Sequence, residues 1–197
     1  MNKLIVIMGD KRSGKDVTAK YLQNHLENLY TVDISAFATL LCTMVQEDTG
    51  LKTSNFTDEY KDTEIVYSKH GFNLKITPRK ILEAYQTLYK DLYGNSVFAK
   101  HVLETAAKPQ YTDKITIIPD LRFVSELDTI LELKDNFDAI HFISTHSELS
   151  PSTQYELHHI NKKLENLDVP VHSIDIVIFG YYLKISKLVD TDFEYLL

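Results

Sequence analysis

Leu4-Ile5-Val6-Ile7-Met8-Gly9-Asp10-Lys11-Arg12-Ser13-Gly14-Lys15-Asp16 runs through three kinds of sequence in immediate succession. Leu4 to Met8 is unbroken, apolar and rich in β-branched residues, the composition of a strand covered on both faces of a parallel sheet. Gly9 to Lys15 fits G-x-x-x-x-G-K. A helix is expected from about Gly14 to Leu29, because Ala19, Leu22, Leu26 and Leu29 recur three and four residues apart. A strand that feeds a glycine-bounded loop and then a helix argues for an α/β fold.

The spacing inside the loop has a physical cause. Successive backbone N–H groups can curl around phosphate oxygens only where side chains leave room, so glycine stands at each end. The helix that follows adds unpaired N–H donors and the positive end of its dipole. Lys15 can then reach a transferring phosphate as a point charge. The candidate ligand contacts are Gly9, Lys11, Arg12, Ser13, Gly14, Lys15 and Asp16. The bland alternative is an ordinary strand–turn–helix with a surface lysine. Asp16 stands where such loops usually carry a Ser or Thr that holds magnesium. A carboxylate there either supports Mg²⁺, which prefers oxygen ligands and keeps several waters, or merely answers the helix dipole.

Working outward, Val32 to Ile34 reads as a short strand and Ala36 to Gln46 as a helix closing near Gly50. Residues 50–77 are polar and weakly periodic, the mark of an insertion or flap. Thr77-Pro78 reads as a helix cap with proline in the first turn, followed by the stripe Ile81, Tyr85, Leu88 and Leu92 up to Gly94. Asn95 is a candidate cap for a helix reaching Ala107. Ile115 to Ile118 is a second buried strand, breaking at Pro119-Asp120, and Leu127, Ile130 and Leu131 lie on the next helix. A strand over Ala139–Ile143, a helix over Thr153–Leu167, a strand over Ile174–Phe179 and a helix over Tyr181–Val189 complete the reading. Alternation of this kind implies a doubly wound, mainly parallel sheet in one domain over residues 1–197.

Bulk composition narrows the partners. The 197 residues are 44% hydrophobic and carry a formal charge of −7, which disfavours nucleic acid and anionic membranes as partners. Cys42 is the only cysteine, so no intrachain disulfide forms and a reducing, cytoplasmic compartment is expected. The apolar run at Leu4 is too short for a signal peptide or a membrane span. His158-His159 lacks the companions of a zinc site.

Lys11 to Asp16 resembles the loop of the deoxynucleoside monophosphate kinases of bacteriophages and bacteria, and also that of animal phosphomevalonate kinases. Ile117 to Phe123 resembles the kinase family's strand ending in Asp-x-Arg. Thr77 to Leu82, continuing to Gln86-Thr87-Leu88, resembles its acceptor-side helix, and Ser35 to Ala38 the segment after its second strand. The resemblance implies a nucleoside-monophosphate-kinase-like fold that transfers phosphate from ATP–Mg²⁺ to a deoxynucleoside 5′-monophosphate. It implies Lys15, Asp120 and Arg122 in catalysis, Asp16 and Asp120 on the metal, and Arg79, Gln86 and Arg122 on the acceptor. Small-molecule nucleotides are the expected partners, a homodimer or assembly partner is compatible, and a viral chain would act in its host's cytoplasm.

The residues keep alternatives open. Asp120 sits at a strand end, where ligands bind in open α/β sheets, but could instead cap the next helix while Arg122 faces solvent. Arg79 has a fork that suits phosphate, or is a solvated arginine. Related kinases bring lid arginines onto the phosphates, whereas the lid-like region, 144–167, has His146, His158, His159, Lys162 and Lys163 and no arginine. Phe179-Gly180-Tyr181-Tyr182 replaces the Asn and acidic residues that relatives place beside adenine. A phosphomevalonate-type kinase and a kinase-derived nucleotide-binding or assembly protein therefore stand beside the first reading.

Overall fold

A computed structural model describes residues 2–108, 113–146, 155–175, 178–179 and 182–183. The chain divides into two compact units, Met1–Ala36 with Val102–Leu197, and Phe37–His101. The first unit opens with β1 (Asn2–Gly9), α1 (Lys15–Leu26) and β2 (Thr31–Ile34). The second is built from α2 (Ala38–Thr49), β3 (Ile65–Lys69), β4 (Phe72–Ile76), α3 (Pro78–Tyr93) and the start of α4 (Val97–Ala106). The chain re-enters the first unit for β5 (Lys114–Leu121), α5 (Val124–Glu132) and β6 (Ala139–His146). Then come α6 (Tyr155–Asn166), β7 (Val171–Asp175) and the small hairpin β8 (Ile178–Phe179) and β9 (Tyr182–Leu183).

The first unit's sheet has the order β2-β5-β1-β6-β7, and every neighbouring pair is parallel. Leu4 through Met8 are all 0% exposed, so both faces of β1 are covered, as its unbroken apolar run requires. On one face Ile5, Ile7, Ile115, Ile117 and Ile143 pack with Ala19, Leu22 and Leu26 of α1. The fold is therefore α/β with a mainly parallel sheet. From β1 the chain proceeds towards β2 on one side, while from β6 it proceeds towards β7 on the other. Such a reversal opens a crevice between the carboxyl ends of the two strands, the place where open α/β sheets bind ligands.

Several boundaries differ from the sequence reading. α1 stops at Leu26, where the N–H groups of Leu29 and Tyr30 both turn back to the Leu26 carbonyl, and Leu29 is left 76% exposed. β5 does not break at Pro119 but runs to Leu121. Its register against β1 shifts between Val6 and Met8, placing an extra residue beside Pro119-Asp120. A bulge tolerates a proline that an unbroken ladder would not. The expected strand over Ile174–Phe179 is instead β7, ending at Asp175, with Ile178–Phe179 in the hairpin. Tyr182–Leu183 is extended rather than helical, and the rest of that expected helix lies outside the described residues.

In the second unit Leu41, Val45, Ile81 and Phe98 form the core, with Ile76, Tyr85 and Tyr89 packed on it. The Thr77 hydroxyl accepts from the Lys80 N–H at 3.3 Å, capping α3 with Pro78 in its first turn. The stripe on α3 is only half used, since Leu88 and Leu92 are 53% and 64% exposed. Residues 50–77 hold the antiparallel β3–β4 ribbon. Phe72, Leu74 and Ile76 alternate with Asn73 and Lys75 along β4, a strand pattern the sequence reading passed over, yet Phe72 and Leu74 stay exposed.

A candidate phosphate-binding site at the carboxyl ends of β1 and β5

The loop between β1 and α1 takes the conformation its glycines permit. Gly9 has φ +151° and Gly14 φ +90°, and Arg12 also adopts the left-handed region at +67°. A Cβ on Gly9 would lie 2.5 Å from Ser13 Oγ, Thr145 O and Thr145 Oγ1, so no larger residue fits. The Ser13 N–H donates to the Asp10 carbonyl at 3.1 Å, closing a turn within the loop. At its far end the Thr18 N–H and hydroxyl both donate to the Gly14 carbonyl, at 2.9 and 3.0 Å.

Lys15, half-buried at the start of α1, turns its ammonium back over the loop and donates to the Gly9 and Asp10 carbonyls at 2.8 and 2.7 Å. Its pKa is lowered from 10.5, first by burial and then by the nearby charge of Arg122, while Asp16, Asp10 and Asp120 act in the opposite sense. Four of the charged residues named from sequence, Lys15, Asp16, Asp120 and Arg122, thus share one field. Asp120 is 9% exposed at the bulged end of β5, and Asp16 and Arg122 are exposed.

Two glutamates take backbone donors at the entry to α5. Glu126 accepts from the backbone N–H groups of Arg122 and Phe123 at 2.8 and 3.0 Å, and Glu156 of α6 accepts from Val124 at 3.3 Å. The entry to α5 is therefore served by glutamates.

Among the described residues no group of three or more His, Cys, Asp or Glu could enclose a metal. Mg²⁺ rarely uses such a cage; one or two carboxylates, substrate phosphates and waters suffice. Asp16 and Asp120 are two carboxylates that both act on the Lys15 ammonium.

Arg79, in the second unit, gives Nε and Nη2 to the two carboxylate oxygens of Asp62, and its backbone N–H donates to Lys61 at 2.9 Å. That pairing raises its pKa further. Gln86 is half-buried on α3. In the lid-like region, Lys163 pairs with Asp128 of α5, Lys162 is exposed, and residues 147–154 lie outside the described residues. Phe179 and Tyr182 fall in the hairpin, whereas Gly180 and Tyr181 are likewise outside the described residues.

One site residue was missed in the sequence: Thr145, whose hydroxyl meets Ser13 Oγ at 2.7 Å. Its signal was the polar run Ser144-Thr145-His146 directly after the apolar part of β6, at a strand end.

No protein-family model and no curated protein matches this chain. Among solved structures, the chain is similar to a plasmid partition protein of Borrelia burgdorferi B31 bound to AMPPNP. That likeness is at 17% identity, 96% coverage of this chain, 80% of that one and a TM-score of 0.43. It is also similar to Kti12 of Chaetomium thermophilum in complex with ADP-AlF3, at 15% identity, 87% and 88% coverage and a TM-score of 0.41. At such identities and scores neither likeness bears on what this chain binds.

Proposed function

We propose that this chain is an ATP-dependent phosphotransferase that phosphorylates a deoxynucleoside 5′-monophosphate. The observation that carries the proposal is Lys15: a half-buried ammonium folded over a glycine-bounded loop, in the field of Arg122, Asp16, Asp10 and Asp120. Phosphoryl transfer needs little covalent chemistry from a protein; it needs alignment and charge stabilisation. Donor phosphates entering the loop give Lys15 oxygens with more charge than the Gly9 and Asp10 carbonyls it now holds. Arg122 supplies a second cation to the transferring group. Mg²⁺, when bound with ATP, neutralises charge on the phosphates, and Asp16 and Asp120 are the residues that would hold it. Arg79 takes the acceptor phosphate by exchanging the Asp62 carboxylate for it, since each presents a pair of anionic oxygens to the planar guanidinium fork. Gln86 is the candidate for a base edge.

The test is ADP release from ATP and magnesium, with each deoxynucleoside monophosphate and phosphomevalonate offered as acceptor. Release with a deoxynucleoside monophosphate is expected; release with phosphomevalonate alone would reassign the acceptor. ATP binding with no release for any acceptor would favour the second reading, a kinase-derived binding or assembly protein. One observation favours that reading: Lys163, a cation available in place of lid arginines, is paired with Asp128.

Two smaller outcomes follow. Asp16→Ala or Asp120→Ala is expected to weaken ATP binding in the presence of magnesium more than in its absence, as titrations with and without EDTA would show. Equal weakening would make the carboxylates structural. Arg79→Ala is expected to weaken acceptor binding by about 1.5–3 kcal/mol, the scale of a hydrogen bond to a charged group, with ATP affinity nearly constant. Loss of ATP affinity instead would place Arg79 on the donor.

A further inference from the structure

We propose that Thr145 is a positioning residue that fastens the phosphate loop to the neighbouring strand, and that Ser13 serves the loop as its anchor rather than as a ligand contact. The inference deepens the reading above and rests on it for the nucleotide arm of its test.

The placement begins with strand register. β1 and β6 run parallel with Gly9 beside Thr145 and Ile7 beside Ile143. Side chains two apart on a strand share a face, so Thr145 lies on the face of Ile143, which packs with α1. The last residue on that face of β6 therefore lies under the loop that leads into α1. A hydroxyl there can reach the loop, where a further isoleucine could not bond it.

The hydrogen count assigns the roles. Thr145 Oγ1 donates to the Met8 carbonyl at 3.2 Å, which uses its only proton. The 2.7 Å contact between Ser13 Oγ and Thr145 Oγ1 must then have Ser13 as donor. Ser13 has spent its backbone N–H on Asp10 as well. Both of its protons are thus committed inside the protein, and the two side chains are shut away at 0% and 1% exposure. The chain of bonds runs Ser13 hydroxyl to Thr145 hydroxyl to Met8 carbonyl, joining the middle of the loop to the strand before it. It closes over the spot where Gly9 has no Cβ, and both of its hydroxyls, Ser13 Oγ and Thr145 Oγ1, stand 2.5 Å from where a side chain on Gly9 would begin.

Bonds among groups this deeply buried are costly to leave half-made. Thr145→Val keeps the shape but removes the acceptor of the Ser13 hydroxyl and the hydroxyl donor to the Met8 carbonyl. Thr145→Ser keeps the hydroxyl. Two measurements read the clamp. The first is hydrogen exchange of the loop amides, Asp10 to Asp16, in ligand-free protein, which needs no assumption about function. The second is the dissociation constant for ADP with magnesium.

Exchange is expected to quicken about tenfold in Thr145→Val and to return close to the wild-type rate in Thr145→Ser; ADP affinity should follow, falling about tenfold and then recovering. Ser13→Ala should mimic Thr145→Val, and the double variant should be little worse than either, because both remove one unit. If Thr145→Val does not fold, Ser13→Ala tests the same bond from the other side. Unchanged exchange in Thr145→Val or in Ser13→Ala would overturn the clamp, as would a Thr145→Ser protein as loose as Thr145→Val, which would mean that the methyl group matters instead. Should wild-type protein bind no ADP, the functional reading fails while the exchange arm still decides the clamp.

Discussion

Lys15→Ala is expected to lower turnover about 10³-fold, the scale seen when a preorganised group is removed from developing transition-state charge. Steady-state ADP release at saturating ATP measures it. Nucleotide affinity should fall less, because the ammonium strengthens its contact as the phosphoryl group moves. The pH dependence carries a second signature. Burial, and then Arg122, hold the pKa of Lys15 below 10.5, so the folded protein binds fewer protons than the unfolded chain between the lowered value and 10.5. Stability of the ligand-free protein from this group therefore rises as pH climbs through that window. Nucleotide affinity moves the other way, since phosphate needs the charged form, and it declines as Lys15 loses its proton. Both slopes should vanish in Lys15→Ala. Turnover within a few-fold of wild type would remove Lys15 from the chemistry.

Gly9→Ala is expected to abolish measurable nucleotide binding and to lower thermal stability. Two costs coincide at this residue. The backbone at φ +151° is one that side chains rarely adopt, worth about 1–3 kcal/mol. A methyl group would also sit 2.5 Å from the Thr145 carbonyl oxygen, a backbone atom on an adjacent strand that cannot swing aside. Relief requires the loop to lift from β6, which breaks the Ser13–Thr145 contact and moves the carbonyls now bound by Lys15. Calorimetric titration with ADP checks the first consequence and a melting curve the second. Wild-type binding in Gly9→Ala would show that the loop has room it does not display.

The contrast between what was legible and what was not has physical roots. Leu4 to Met8 could be read directly, because burial on both faces leaves only apolar residues. The loop could be read because close backbone packing tolerates glycine alone at its first position. Ile115 to Ile118 announced β5, but its extension through Pro119 did not, since a bulge is a tertiary accommodation between two strands. The β3–β4 ribbon was overlooked although Phe72-Asn73-Leu74-Lys75-Ile76 alternates with the pleat: the run is short, and Val66, Phe72 and Leu74 stay exposed, so no buried apolar stretch marked it. Lys15, Asp16, Asp120 and Arg122 could be gathered because each lies at or just past a strand end or helix start, where topology concentrates ligand contacts. Thr145 escaped because a threonine in a strand is ordinary until the neighbouring loop is seen above it. The Asp62 partner of Arg79 was equally invisible, being 17 residues away across a turn and a ribbon.

The central claim is that the loop from Gly9 to Lys15 binds the phosphates of a nucleotide, and thermal unfolding with ADP and magnesium tests it most directly. A ligand that binds only the folded state raises the melting temperature progressively with its concentration. Wild-type protein is expected to show that rise, and Lys15→Ala to show much less of it at each ADP concentration. A wild-type melting curve unmoved at millimolar ADP and magnesium would contradict the account.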